Sequence, residues 1–340
     1  VDFLDNADGA LLLEPARTNY VTYSNGFTDT SWLPTGATVV SGVISPYGTS
    51  NAFTVSNTAA NGLIQKAVSL TGLRVLSIFA KKGTHRYLYL IGYGGTNNSA
   101  NFDLENGVVT YMDGNAEIEN YGNGWYRCTC FGIDGTTGGV QIFPSNRSVG
   151  DATTNGSIEV FGAQLEAGSY PTSYIPTSGS TVTRVGETCG QTPTTGIIGQ
   201  TEGTVFVDVD FVGVNESITN QIFFIREQAS NNGYLFAGFY QGKLNCGLKV
   251  GGTTLFDTFF SGVLTKGRYK IAFAYKSGDT KIYVNGVQTG FKNNSFGSTN
   301  FAEIFLTGSA GTNQLGDVNR DFKLYNTRLT DAELVILTTI

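Results

Sequence analysis

The sequence predicts an all-β protein: two tandem antiparallel β-sandwich (jelly-roll) domains finished by a short C-terminal helix. Length is the first reason, since 340 residues exceed the usual single core and favour two cores of roughly 150 residues each. Composition is the second, with 45 glycines and 12% aromatic residues but only 14% charged residues, where about a quarter is typical. Surface helices need Glu, Lys and Arg on their outer faces, whereas a sandwich can clothe its outer face in Thr, Ser and Asn. The third reason is a series of short strand-like runs separated by Gly, Asn and Asp clusters. That spacing fits a sandwich better than a parallel sheet with crossover helices.

The elements divide the chain at turn-rich segments. Residues 1–14 are expected to be an N-terminal connector, 15–185 the first sandwich, 186–201 a linker and 202–340 the second sandwich. The boundary is read from Pro171–Gly179 and Thr192–Gly196, where Pro, Gly, Ser and Thr mark a surface connector. In the first domain, strands are expected within Gly62–Leu70, Arg74–Ala80, Arg86–Gly92, Gly107–Met112, Trp125–Phe131, Gly139–Phe143 and Ser157–Gln164. Glu105-Asn106-Gly107 reads as a hairpin turn, because Asn and Gly accept positive φ. In the second domain, Val205, Val207, Val209 and Phe211 alternate with mostly polar residues as a half-buried strand does. Arg268–Tyr275 repeats the pattern, and Lys281–Val284 turns through Asn285-Gly286 into the next strand. Thr330-Asp-Ala-Glu333 forms a capping box ahead of one short helix that closes an edge of the last sandwich.

Charge and cysteine content narrow the function classes. A net charge of -6 and a pI near 4.9 leave no basic stripe for phosphates, so no nucleic-acid partner is expected. No window approaches the roughly 18 apolar residues of a membrane span, so no membrane insertion is expected. Val1 follows no initiator Met or charged leader, which suggests part of a longer chain. The four cysteines are expected to be buried reduced thiols, with Cys128 and Cys130 on one side of a strand. That suits assembly in a reducing cytoplasm.

Proton-transfer groups are scarce, which argues against an enzyme. His85 is the only histidine and is expected in an exposed turn. Asp208 and Asp210, two apart on one strand face, could approach the separation used by retaining glycosidases. They lack the paired Glu residues of sandwich-fold glycanases, so no catalytic residue is assigned. Sugar binding needs flat aromatic faces with amides and carboxylates beside them. The candidates are Trp32, Tyr126 and Arg127 in the first domain, although Trp32 also suits a core role and Trp125 is placed in the core. In the second domain they are Arg226, Asn232, Tyr234 and Tyr240, with Phe236 and the loop Gln228–Asn232 nearby. Strand alternation puts Tyr234 and Phe236 on one face and Leu235, Ala237 and Phe239 on the other.

The segment Leu11–Asn19, Trp32, Gly124–Cys128 and the closing run Gly162–Thr177 together resemble the carbohydrate-binding-like jelly-roll module of phage head-spike and tail-fibre proteins. Lys281–Val287 and Asp321–Leu334 resemble the concanavalin-like, laminin-G-type sandwich. The resemblances imply a virion location and a non-catalytic role. Implied partners are a host cell-surface glycan and other virion proteins, and because single sugar contacts are weak, avidity leads to the expectation of a homo-oligomer such as a trimer. The alternatives are a purely structural capsid or tail decoration protein and a polysaccharide depolymerase. Laminin-G-type domains often carry calcium, and Asp208, Asp210 and Asp317 are the oxygen donors on offer here. No full set of six or more ligands is matched, so no cofactor is expected beyond that structural Ca2+ alternative.

Overall fold

The computed structural model describes residues 10–96, 98–192, 194, 196–211, 220–306 and 318–340. Among the described residues the protein is all-β, built from antiparallel sheets with one helix at Asp331–Thr338. Its chain divides into two compact units: Arg17–Arg184, and Val1–Ala16 together with Val185–Ile340.

In the unit Arg17–Arg184, one sheet has the order Asn115–Gly122, Trp125–Gly135, Arg74–Lys82, Gly156–Ala167, Ala52–Asn57, Ala37–Val43. The other runs Val108–Asp113, Ser99–Asp103, Tyr87–Ile91, Gly138–Ser145, Leu63–Val68, Leu33–Thr35. All seven runs read as strands in this domain are strands. Alternation explains the main core, where Leu76, Ile78, Leu88, Leu90, Cys128, Cys130, Ile142, Ile158 and Val160 meet. The opposite face of the first sheet is also covered, by a cluster of Phe79, Trp125 and Phe161 against which Tyr174 packs. Gly107 adopts φ 67° in the expected hairpin, and its N–H donates to Asp103 O at 2.9 Å.

The closing motif Gly162–Thr177 acts as a polar clasp. Asn19, fully buried, donates to Ile175 O at 2.9 Å and accepts from the Val21 N–H at 3.0 Å and the Leu165 N–H at 3.2 Å. Gln164 accepts from Ile175 N at 2.6 Å, and Glu166 accepts from Thr172 N at 3.1 Å. Ser24 and Thr177 exchange backbone-to-hydroxyl bonds at 2.9 Å each. These side chains satisfy backbone groups of a return segment that has no strand neighbour, so the residues carrying the resemblance serve architecture.

The second unit packs two sheets. The first has the order Leu11–Leu12, Val318–Tyr325, Glu202–Phe211, Gly267–Lys276, Thr280–Val284, Val287–Lys292. The second runs Gly190–Gln191, Phe301–Phe305, Asn220–Glu227, Tyr234–Tyr240, Lys243–Val250, Thr253–Val263. Phe211 meets Phe239 at 4.1 Å and Phe223 meets Phe273 at 6.5 Å, fastening sheet to sheet. Asn285 and Gly286 take φ 49° and 79° in the expected tight turn. The capping box is formed, with the Thr330 N–H donating to Glu333 Oε2 at 2.7 Å. The helix packs Leu334 against Ala272, Ala274 and Tyr283, so it covers a sheet face rather than an edge.

Several expectations are corrected. Leu11 and Leu12, read as part of a connector, pair with Asn319 and Val318 as a strand, because two apolar residues reach a free sheet edge. The stretch read as a linker likewise pairs Gly190 and Gln191 with Phe305 and Ile304, and buries Ile198. His85 is buried rather than exposed: its N–H donates to Ser157 O and its ring Nε2 lies 3.0 Å from Thr154 O. Space for the ring exists because Gly156 lies against it, where a Cβ would come within 2.3 Å. All four cysteines are free, but Cys189 is only half-buried. Burial pushes the Cys128, Cys130 and Cys246 thiols up, which keeps them unreactive.

Candidate functional site: an aromatic groove on the second unit

The sheet Asn220–Val263 turns one face to the core and the other outward. Leu235, Ala237 and Phe239 point inward, and so do Leu244, Cys246 and Leu248 on the next strand. By alternation, Tyr234, Phe236 and Tyr240 share the outer face with Lys243, Asn245, Gly247 and Lys249. Asp257 and Phe259 join that face opposite Gly247 and Asn245. A bulge at Gln221–Phe223 lets Gln221 and Phe224, three residues apart, face outward together.

These side chains enclose an open groove of about 610 Å³, lined by Gln221, Phe224, Asn231, Tyr234, Phe236, Tyr240, Asn245, Asp257, Thr258 and Phe259. Phe224, Tyr234 and Phe236 form a run of rings with centroids 5.9 and 6.0 Å apart. Phe236 lies over Gly247, where a Cβ would come 2.3 Å from the ring, so the missing side chain makes the seat of the floor. Tyr240 and Phe259 are stacked at 5.9 Å with planes 29° apart. Phe259 is 45% exposed. Beside them Asn245 Nδ2 donates to Asp257 Oδ1 at 3.0 Å, fixing the carboxylate in orientation. The arrangement offers flat apolar faces next to an oriented hydrogen-bonding pair, and carboxamides at Gln221 and Asn231.

Of the second-domain candidates, Tyr234 and Tyr240 line the groove, whereas Arg226 and Asn232 do not. Arg226 shares Tyr234's face, but Nε donates to Glu303 Oε2 at 2.6 Å and the guanidinium lies 5.2 Å from the centre of the Phe305 ring. Asn232 is exposed in the adjoining loop, and Asn231 reaches the groove instead. Alternation around Leu244, Cys246 and Leu248 carried a signal for Asn245. Asp257 and Phe259 join only through strand register.

The first-domain candidates fare differently. Trp32 is 2% exposed, its Nε1 donates to Tyr23 O at 3.0 Å, and the Lys66 ammonium covers its ring at 5.6 Å. It is a core residue and no platform for a ligand, because the loop carrying it folds onto Phe27. Arg127 is buried too, donating to Ser77 Oγ at 3.0 Å and Thr172 O at 2.5 Å, since it faces the covered side of its sheet. Tyr126 is half-buried and packs on the main core. These three do not converge on a site.

The acidic candidates are held by guanidinium groups. Asp208 is buried and accepts from Arg268 at 2.8 and 2.6 Å, and Asp210 accepts from Arg320 at 2.8 Å. Asp317 lies outside the described residues. Among the described residues, no group of three or more His, Cys, Asp or Glu could hold a metal ion. No described helix is long and apolar enough to cross a membrane.

No family model matches the chain, and no curated protein sequence matches it. Solved structures show partial likeness. A native heptameric SAP-like pentraxin from Limulus polyphemus is 16% identical, over 41% of this chain and 70% of that one, at a TM-score of 0.32. The binding domain of botulinum neurotoxin DC in complex with SialylT is 18% identical, over 41% and 35% of the respective chains, at 0.34. A Trypanosoma rangeli sialidase in complex with the inhibitor DANA is 12% identical, over 40% and 22%, at 0.33. The chain therefore spans about a third or less of the toxin domain and the sialidase. Likeness at this level is too slight to carry a function.

Proposed function

We propose that the groove binds carbohydrate non-covalently. The observation that carries this reading is the Tyr240–Phe259 ring pair standing beside the Asn245–Asp257 pair in one open groove. A pyranose has an apolar face that stacks on aromatic rings and a rim of hydroxyls that both donate and accept hydrogen bonds. The groove offers both partners at once. Binding is proposed to end there, without catalysis: Asp257 is the one carboxyl among the described lining residues, and glycoside hydrolysis by a carboxyl pair uses two.

The biological setting proposed is a phage appendage, a head fibre or spike or a tail fibre, that engages host-surface glycan. Sequence resemblance in Leu11–Asn19, Gly162–Thr177 and Asp321–Leu334 supports it. Single sugar contacts of this kind are weak, so several copies on one particle would supply avidity. The test is a glycan array and whole-cell binding with the full chain beside Tyr240→Ala. Saccharide-dependent binding that the substitution removes is expected. A decoration protein would give no saccharide-dependent signal, and a depolymerase would release reducing ends from host polysaccharide; either outcome contradicts the proposal.

A further inference from the structure

The register of the sheet sorts the groove into three stretches. At one end Phe224, Tyr234 and Phe236 form a run of rings with centroids 5.9 and 6.0 Å apart. At the other, Tyr240 and Phe259 stack at 5.9 Å. Tyr234 and Tyr240 sit on one strand, and at about 3.3 Å per residue their positions are roughly 20 Å apart, several times the width of one pyranose. The rings do not continue across the middle. Gly238 holds the outer face there, between Phe236 and Tyr240, and its partners on the two flanking strands are Gln221 and Asn245. Two carboxamides therefore flank a floor that carries no side chain, and Asn245 donates to Asp257 at 3.0 Å. The two ends share a further feature. Lys249 pairs with Tyr234 and Lys243 with Tyr240 across the strands, and their ammonium groups lie 5.7 Å from the Tyr234 ring centre and 5.5 Å from the Phe259 ring centre.

A single pyranose can stack at one end only, which leaves the other end and the amides between them unused. A chain of sugars laid along the strand meets rings, then amides, then rings. Ends of like composition suit a ligand whose own units repeat, and joining two stacking contacts in one molecule makes the second contact intramolecular. We infer that the groove takes an extended run of several residues of a repeating polysaccharide, with a stacking subsite at each end and a hydrogen-bonding subsite over Gly238; this rests on the groove being a sugar site. Gln221 and Asn245 set the register of the middle of the chain, because a carboxamide can both donate to and accept from a sugar hydroxyl.

The experiment is titration of the full chain with oligosaccharides of increasing length, from monosaccharide to hexasaccharide, in neutral hexose, N-acetylhexosamine and hexuronic-acid series. In a series that binds, the hexasaccharide is expected to be held at least about tenfold tighter than the monosaccharide. Tyr234→Ala and Tyr240→Ala should each remove that gain while changing monosaccharide binding by only about twofold, because the other end still takes a single sugar. Gln221→Ala should weaken the hexasaccharide and spare the monosaccharide, and it leaves every ring in place should a tyrosine variant fail to fold. A hexasaccharide held no tighter than a monosaccharide, with both lost in Tyr240→Ala, would overturn the inference and leave the groove a site for one sugar. Hexasaccharide binding unchanged in a folded Tyr234→Ala would overturn it as well. Should no length bind in any series, or should binding survive Tyr234→Ala combined with Tyr240→Ala, the sugar-site reading itself fails.

Discussion

Tyr240 and Trp32 are both large aromatic residues, but only the ring of Tyr240 lines the groove. Trp32 is enclosed by Phe27, Tyr23 and Lys66, so Trp32→Ala should cost roughly 3–5 kcal/mol of stability, read by denaturant midpoint. Its effect on sugar affinity per folded molecule should be nil. Asp103 makes a different residue-scale prediction. The Arg86 hydrogen bond first, and the Glu105 and Asn106 amides after it, pull its carboxyl down to about 2. The unfolded value is about 4, so the folded state is favoured above that pH and loses this advantage as pH falls from about 4 through about 2. Asp103→Asn should therefore be less stable than wild type at pH 7, with the gap closing over that window. A gap that stays constant from pH 7 to pH 2 would refute the assignment.

Strands and turns decide which side chains meet. Gly247 lies between Phe236 and Asp257 across three strands, and Gly247→Ala would drive a methyl into the Phe236 ring. Weaker sugar binding with a lowered melting temperature is expected, and unchanged binding would mean that Phe236 is not part of the floor. At the C-terminal helix, Thr330→Ala should cost about 1 kcal/mol through the lost capping bond, measured as a shift in denaturation midpoint. Strand existence, the Asn285-Gly286 turn and this cap were legible because each depends on local chemistry. The groove was legible only in part: Tyr234 and Tyr240 sit on one strand whose alternation can be read directly. Asp257, Phe259 and Gln221 come from neighbouring strands, and their meeting depends on register and on a bulge that no local pattern announces. Arg127 is hidden for a related reason, since the segment that covers its side of the sheet meets it through Thr172, far away in sequence, and Trp32 is hidden because its loop folds onto Phe27.

On the scale of the whole chain, the unit Arg17–Arg184 is inserted between two parts of the other, because Leu11–Leu12 is hydrogen-bonded to the strand Val318–Tyr325. Its first and last strands, Arg17–Asn19 and Val182–Arg184, pair with each other, so its two chain ends are tied together. Residues 17–184 expressed alone should therefore fold with a cooperative thermal transition. The remaining chain carries the groove, and the account stands on that groove accepting a sugar. The most direct measurement is a crystal structure of the full chain with a bound oligosaccharide. The account predicts a pyranose ring against Tyr240 and Phe259, with a hydroxyl hydrogen-bonded to Asp257. An ordered sugar on any other surface, with the groove empty, would contradict it.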